Sequence, residues 1–187
     1  ISDSLVGISV SNSDNTLISK NNIYNNVKGV VVENSKGTTL SKNQILNNED
    51  KGIFIENSSN IDVKDNKINE NGYGLVMNNV TDALIEGNDI MDNDRDGITL
   101  NGIIKDTTIL GNVIQKNNIG IMFNCKNENL AIKGNLITDN TVKSGDKNHG
   151  GFGIEFGSNF AESSTFLVEH NIIWDNTEMD FHGCTYP

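Results

Sequence analysis

The string Asn-x-Ile-x-x-Asn occurs seven times in this chain, beginning at Asn21, Asn43, Asn66, Asn88, Asn112, Asn135 and Asn171. A recurrence of this kind constrains the fold more than composition does, because each repeat must be one structural unit that stacks on its neighbours. The starts are 22, 23, 22, 24, 23 and 36 residues apart, so near-equal periods are followed by one that carries an insertion. Each repeat also holds a Gly-apolar-x-apolar segment, from Gly7-Ile8-Ser9-Val10 through Gly52-Ile53-Phe54-Ile55 to Gly153-Ile154-Glu155-Phe156. Alternation at period two places the two apolar residues on one face of a strand and the residue between them on the other.

A second strand is marked by Ile18, Leu40, Val63, Ile85, Ile109, Ile132 and Val168, and a third by Ile23, Ile45, Ile68, Ile90, Ile114, Ile137 and Ile173. Three short strands per repeat, with no stretch of helical period, describe one turn of a solenoid. The expectation is an all-β, single-stranded parallel β-helix of about eight coils of 22–23 residues, forming one domain over residues 1–187. A leucine-rich repeat has a similar period but requires Leu at fixed offsets and a helical outer side, whereas Ile and Val dominate here. Stacked coils lie ~4.8 Å apart, so each inward position becomes a column. Burying each Ile of such a column is worth about 1.5–3 kcal/mol, which lets a polar chain fold. The paired Asn of each motif are expected at corners, in the left-handed conformation, bonding local backbone and one another. That role is architectural.

The 14 Lys and Arg stand against 25 Asp and Glu, a net charge of −11, which disfavours a nucleic-acid partner. Apolar runs fall short of the ~20 residues needed for membrane insertion. Ile1 begins in mid-repeat, and the chain is expected to be a fragment of a larger repeat protein, open to lateral or end-to-end self-association. Trp174, Phe181 and Tyr186 are expected to form a partial terminal cap, and Cys125 and Cys184 to be free thiols.

With these motifs, the chain resembles the right-handed parallel β-helix repeat family, most closely the β-helical segments of adhesin-like cell-surface proteins of the methanogen type. That family also includes polysaccharide lyases, polygalacturonases, mannuronan C5-epimerases and phage tailspikes, and the resemblance implies that a polysaccharide groove runs across the first sheet. The outward first-sheet positions are Ser9, Val31, Phe54, Val76, Thr99, Met122 and Glu155, followed by His182. Val31, Phe54, Val76 and Met122, with Tyr73, Ile119 and Phe152 just before strand glycines, are expected to form an apolar solvent-facing stripe that binds a glycan or a partner protein. A pectate-lyase base has no candidate, because the single Arg95 precedes Gly97 in a turn. Asp180-Phe181-His182 is similar to the epimerases' Asp-Pro-His sequence but lacks the proline.

Residues 141–152 form an inserted surface loop that includes His149. Glu155 and His182 occupy equivalent outward positions in adjacent coils, within reach of an acid/base pair, with His149 as a third member. Asp92, Asp94 and Asp96 have the alternating carboxylate spacing that suits calcium; no organic cofactor is implied. The primary expectation is a non-catalytic extracellular or cell-surface adhesin or stalk that binds a polysaccharide or surface protein. The alternative is a carbohydrate-active enzyme, a lyase, hydrolase or epimerase, that acts near the seventh and eighth coils.

Overall fold

The computed structural model describes residues 1–142, 150–157 and 165–183. The repeats wind into a parallel β-solenoid of about seven turns, close to the eight coils expected, with no helix among the described residues. The main path of the first sheet runs Val6–Ser11, Lys28–Glu33, Lys51–Lys64, Tyr73–Glu86, Asp96–Leu110, Ile119–Lys133, Phe152–Phe156 and Met179–His182. The second sheet has seven three-residue strands, from Asn22–Tyr24 to Ile172–Trp174. Every neighbouring pair of the second sheet is parallel and in register, Ile68 against Ile90 and Ile90 against Ile114 for example.

The expectation of three separate short strands per coil is corrected in the middle of the chain. There the first and second strands fuse into continuous strands of 14 or 15 residues, because inter-coil pairing carries on through the corner at Ser58 with Val80 and Ser59 with Thr81. The extra length in the coil of Asp96–Leu110 is absorbed as a register shift between Asn101 and Ile104. The core consists of the predicted columns. Ile23, Ile45, Ile68, Ile90, Ile114 and Ile137 are completely buried, as are Leu40, Val63, Ile85, Ile109 and Ile132 beside them.

Two Asn ladders line the corners on either side of the second sheet. In each, the backbone N–H and side-chain Nδ2 of one Asn donate to Oδ1 of the Asn one coil on, as in Asn66 to Asn88 at 2.9 and 3.0 Å and Asn71 to Asn93 at 2.9 and 3.1 Å. Nδ2 also reaches back to a carbonyl of the preceding coil, Asn66 to Leu40 at 2.9 Å. The expected left-handed conformation belongs not to these Asn but to the residue before each of them, such as Lys42, Asp65 and Gly87 in one ladder and Asn47, Glu70 and Asp92 in the other. That residue turns the chain, which aims the next side chain into the stack.

Among the described residues 21 non-glycines have positive φ, and 16 of them are Asn or Asp, the side chains that bear this conformation at least cost. Fourteen ladder Asn and nine left-handed corner Asn account for 23 of the 32 in the chain. The polar, Asn-rich composition is therefore a consequence of corner geometry.

The strand glycines fit where a ladder passes behind a sheet. A Cβ on Gly97 would lie 2.8 Å from the Gly120 carbonyl oxygen, 2.8 Å from Ile114 Cγ2 and 2.9 Å from Asn117 Nδ2. Gly97→Ala is expected to cost about 2 kcal/mol by overpacking, read as a lower denaturant midpoint. A midpoint equal to wild type would mean that the corner has slack.

Candidate functional site

Three columns of outward side chains cover the first sheet. Lys28, Lys51 and Tyr73 precede the strand glycines, followed in later coils by Asp96, Ile119 and Phe152. Next to them runs the column Val31, Phe54, Val76, Thr99, Met122, Glu155 and His182. Glu33, Glu56 and Asn78 then form a polar margin, where Asn78 Nδ2 donates to Glu56 at 2.6 Å.

The expectation of a solvent-facing apolar stripe is corrected by burial. Val31, Val76, Ile119 and Phe152 are only 6, 4, 1 and 9 % exposed, whereas Phe54, Tyr73 and Met122 are half-buried. Alternation sets the direction of a side chain, but neighbours ~4.8 Å above and below close over the short Val31 and Val76, and the His182 ring covers Phe152.

Phe54 and Tyr73 protrude and carry cations. Lys28 Nζ lies 5.5 Å from the Phe54 ring centroid, and Lys51 Nζ lies 5.7 Å from Phe54 and 5.6 Å from Tyr73. The Arg95 guanidinium stands 5.4 Å from the Tyr73 ring, and its Nη1 donates to the Tyr73 hydroxyl at 3.4 Å. Asp50 holds Lys51 in place at 2.7 Å. Sequence reasoning placed Arg95 in a turn and missed that the turn overhangs this face. It likewise passed over Lys28 and Lys51, although they share the offset that singled out Tyr73. Next in that column Asp96, 8 % exposed, accepts a 2.8 Å hydrogen bond from the Thr99 hydroxyl.

At the far end of the face Glu155 and His182 meet, as their common register predicted. His182 Nδ1 lies 3.2 Å from Glu155 Oε1, and Glu155 is 3 % exposed while the His182 side chain is 41 % exposed. The imidazole is also stacked on Phe152, with centroids 4.2 Å apart and planes 6° from parallel. With its proton on Nδ1, the ring donates to the carboxylate and leaves Nε2 as an acceptor of fixed direction, a geometry suited to proton transfer. His149 and residues 143–149 of the inserted loop lie outside the described residues.

Asp92, Asp94 and Asp96 do not converge. Asp92 follows the second-sheet strand Asp89–Met91 with φ 56°, Asp94 is exposed, and Asp96 opens a first-sheet strand. Among the described residues no three His, Cys, Asp or Glu side chains are grouped to hold a metal ion.

On the second sheet, burial raises the Asp89 carboxyl above the usual carboxylate range; Lys67 opposes this and Asp92 adds to it. Cys125 is a free thiol in the core, pushed up to about 11 by burial, which makes it a packing group. Cys184 and Tyr186 lie outside the described residues. Of the residues expected to form the cap, Trp174 and Phe181 pair in register with Thr138 and Ile154 and are 56 and 46 % exposed. No helix among the described residues is long and apolar enough to cross a membrane.

Solved structures with a similar fold act in different settings. A periplasmic alginate epimerase superposes with a TM-score of 0.73 at 18 % identity, covering 90 % of this chain and 42 % of its own. The A-module of a mannuronan C-5 epimerase from Azotobacter vinelandii gives 0.63 at 17 % identity, over 96 and 62 %. The Dettilon tailspike protein gives 0.63 at 18 % identity, over 83 and 38 %. This chain thus spans less than two thirds of each of these proteins. No curated protein matches the sequence. A family model described as the right handed beta helix region matches residues 6–161 and again 73–186, so the repeat, the parallel coils and the sequence profile agree, and the chain belongs to the right-handed β-helix family.

Proposed function

We propose that this chain is a non-catalytic adhesin or stalk segment, extracellular or periplasmic, that binds a polysaccharide strand lying along the outward face of the first sheet. The observation that carries the reading is the run of cations and rings on successive coils, Lys28, Phe54, Lys51, Tyr73 and Arg95. Three cations gathered on one face of a chain with net charge −11 favour a polymer that bears carboxylates, and the ring edges offer apolar contact to sugar C–H groups. The alginate epimerase, mannuronan epimerase and tailspike named above lend support as proteins of the same fold.

The test is retention of the protein on immobilised acidic and neutral polysaccharides, with released reducing or unsaturated ends measured in the same samples. Retention on an acidic polymer without release is expected. Failure to bind any of them would leave a protein-contact or spacer role as the better account.

A second reading, a carbohydrate-active enzyme, is favoured by the contact between buried Glu155 and His182. It predicts release of sugar ends that falls at least ~100-fold in Glu155→Gln. Release unchanged in that variant would exclude this pair as the acid/base machinery.

A further inference from the structure

The sequence contains two Asn-x-Ser/Thr triplets, Asn57-Ser58-Ser59 and Asn79-Val80-Thr81, the acceptor pattern for N-linked glycans in secreted proteins. The fold makes them equivalent. Ser58 pairs with Val80 and Ser59 with Thr81, so Asn57 and Asn79 stand one above the other where the first strand bends into the second. Both are exposed and left-handed, with φ of 48° and 52°. None of the fourteen ladder Asn has Ser or Thr two residues on, so the pattern occurs only where a bulky group leaves the core columns intact.

The two amides differ in how the fold uses them. Asn79 Nδ2 donates to Asn57 Oδ1 at 3.2 Å, and Asn79 Oδ1 accepts from the Ile103 N–H at 3.0 Å under the turn at Gly102. Asn57 contributes only its oxygen, and its Nδ2 makes no hydrogen bond among the described residues. We propose that Asn57 is an N-glycosylation site and that it carries the single glycan of this corner, since a second one ~4.8 Å away on Asn79 would occupy the same space.

In the reaction, Asn57 Nδ2 attacks C1 of a sugar held on a polyprenyl-phosphate donor by the cell's membrane oligosaccharyltransferase. The N–C1 bond forms and the C1–O bond breaks. The electron pair leaves with the lipid phosphate, and the amide nitrogen gives up one proton. Asn57 Oδ1 remains free to accept from Asn79.

This assignment rests on the location proposed above, so the protein is recovered from outside the cytoplasmic membrane of its own cells, and its position is checked separately by protease accessibility. Trypsin releases Asn57 in the peptide of residues 52–64, between Lys51 and Lys64. That peptide is expected to carry a saccharide mass, lost completely in Asn57→Gln and in Ser59→Ala and retained in Ser59→Thr and Asn79→Gln. The Ser59→Ala variant keeps Asn57 itself, which separates glycosylation from deamidation or any other chemistry of the amide. An unmodified 52–64 peptide from externally located wild-type protein, or a saccharide that persists in Ser59→Ala, would overturn the assignment. Recovery of the protein only inside the cell would instead overturn the location.

Discussion

Replacing Asn88 with alanine is expected to lower the stability of the solenoid by about 3 kcal/mol or more. Asn88 is 1 % exposed. Its Nδ2 donates to the Val63 carbonyl at 2.8 Å and to Asn112 Oδ1 at 2.9 Å, and its Oδ1 accepts from Asn66 N and Nδ2 at 2.9 and 3.0 Å. Alanine removes all four bonds and strands their partners in a buried corner. Each buried group so stranded costs about 1–3 kcal/mol. A shift in urea midpoint followed by circular dichroism measures the loss, with Asn22→Ala, exposed on a second-sheet strand, as a control expected within ~0.5 kcal/mol of wild type. Because coils contact only their neighbours, the damaged variant is also expected to lose its single sharp transition as the two halves uncouple. A loss below ~1 kcal/mol would show that the ladders contribute direction but little energy.

The second large effect falls on ligand binding. Phe54→Ser is expected to weaken retention on an acidic polysaccharide at least tenfold, about 1.4 kcal/mol. The ring is the shared seat of Lys28 and Lys51, and each cation–ring contact is worth about 0.5–1 kcal/mol in a solvated setting. Without the ring Lys28 loses its seat, Lys51 keeps only Asp50 and the Tyr73 ring, and the ligand loses an apolar wall. Phe54 points outward and is half-buried, while Ile53 and Ile55 on either side remain in the core, so the fold survives the change. Wild-type affinity in Phe54→Ser, measured on protein with an unchanged unfolding midpoint, would remove this face from consideration.

The inward half of the molecule was legible because one residue type repeats at one offset: Ile68, Ile90 and Ile114 could be stacked from their spacing alone, and they are fully buried in register. The Glu155–His182 contact was legible for the same reason, since both hold the same place in adjacent coils. Accessibility was not. Val76 and Phe54 share a direction, and only the size of each side chain relative to its neighbours decides that Val76 is covered and Phe54 protrudes. The Arg95 contact with Tyr73 was hidden because it crosses between coils from a turn, outside any alternating pattern. The alternating Asp92 and Asp96 flank a corner, and a corner sends equal spacings to different walls, which the spacing alone does not reveal.

The parallel pairing of successive coils has a mechanical consequence. The strands lie across the long axis, so the bonds between coils point along it and a pull on the two ends loads them in series, one coil at a time. Each regular coil that yields releases 22–24 residues, roughly 75–82 Å of slack at ~3.4 Å per residue, in place of the ~4.8 Å it occupied when wound. Under tension such a segment behaves as a spool and not as a rod. It would limit the transmitted force by lengthening stepwise, in near-equal steps except at the coil that carries the insertion, and it would rewind when the load falls.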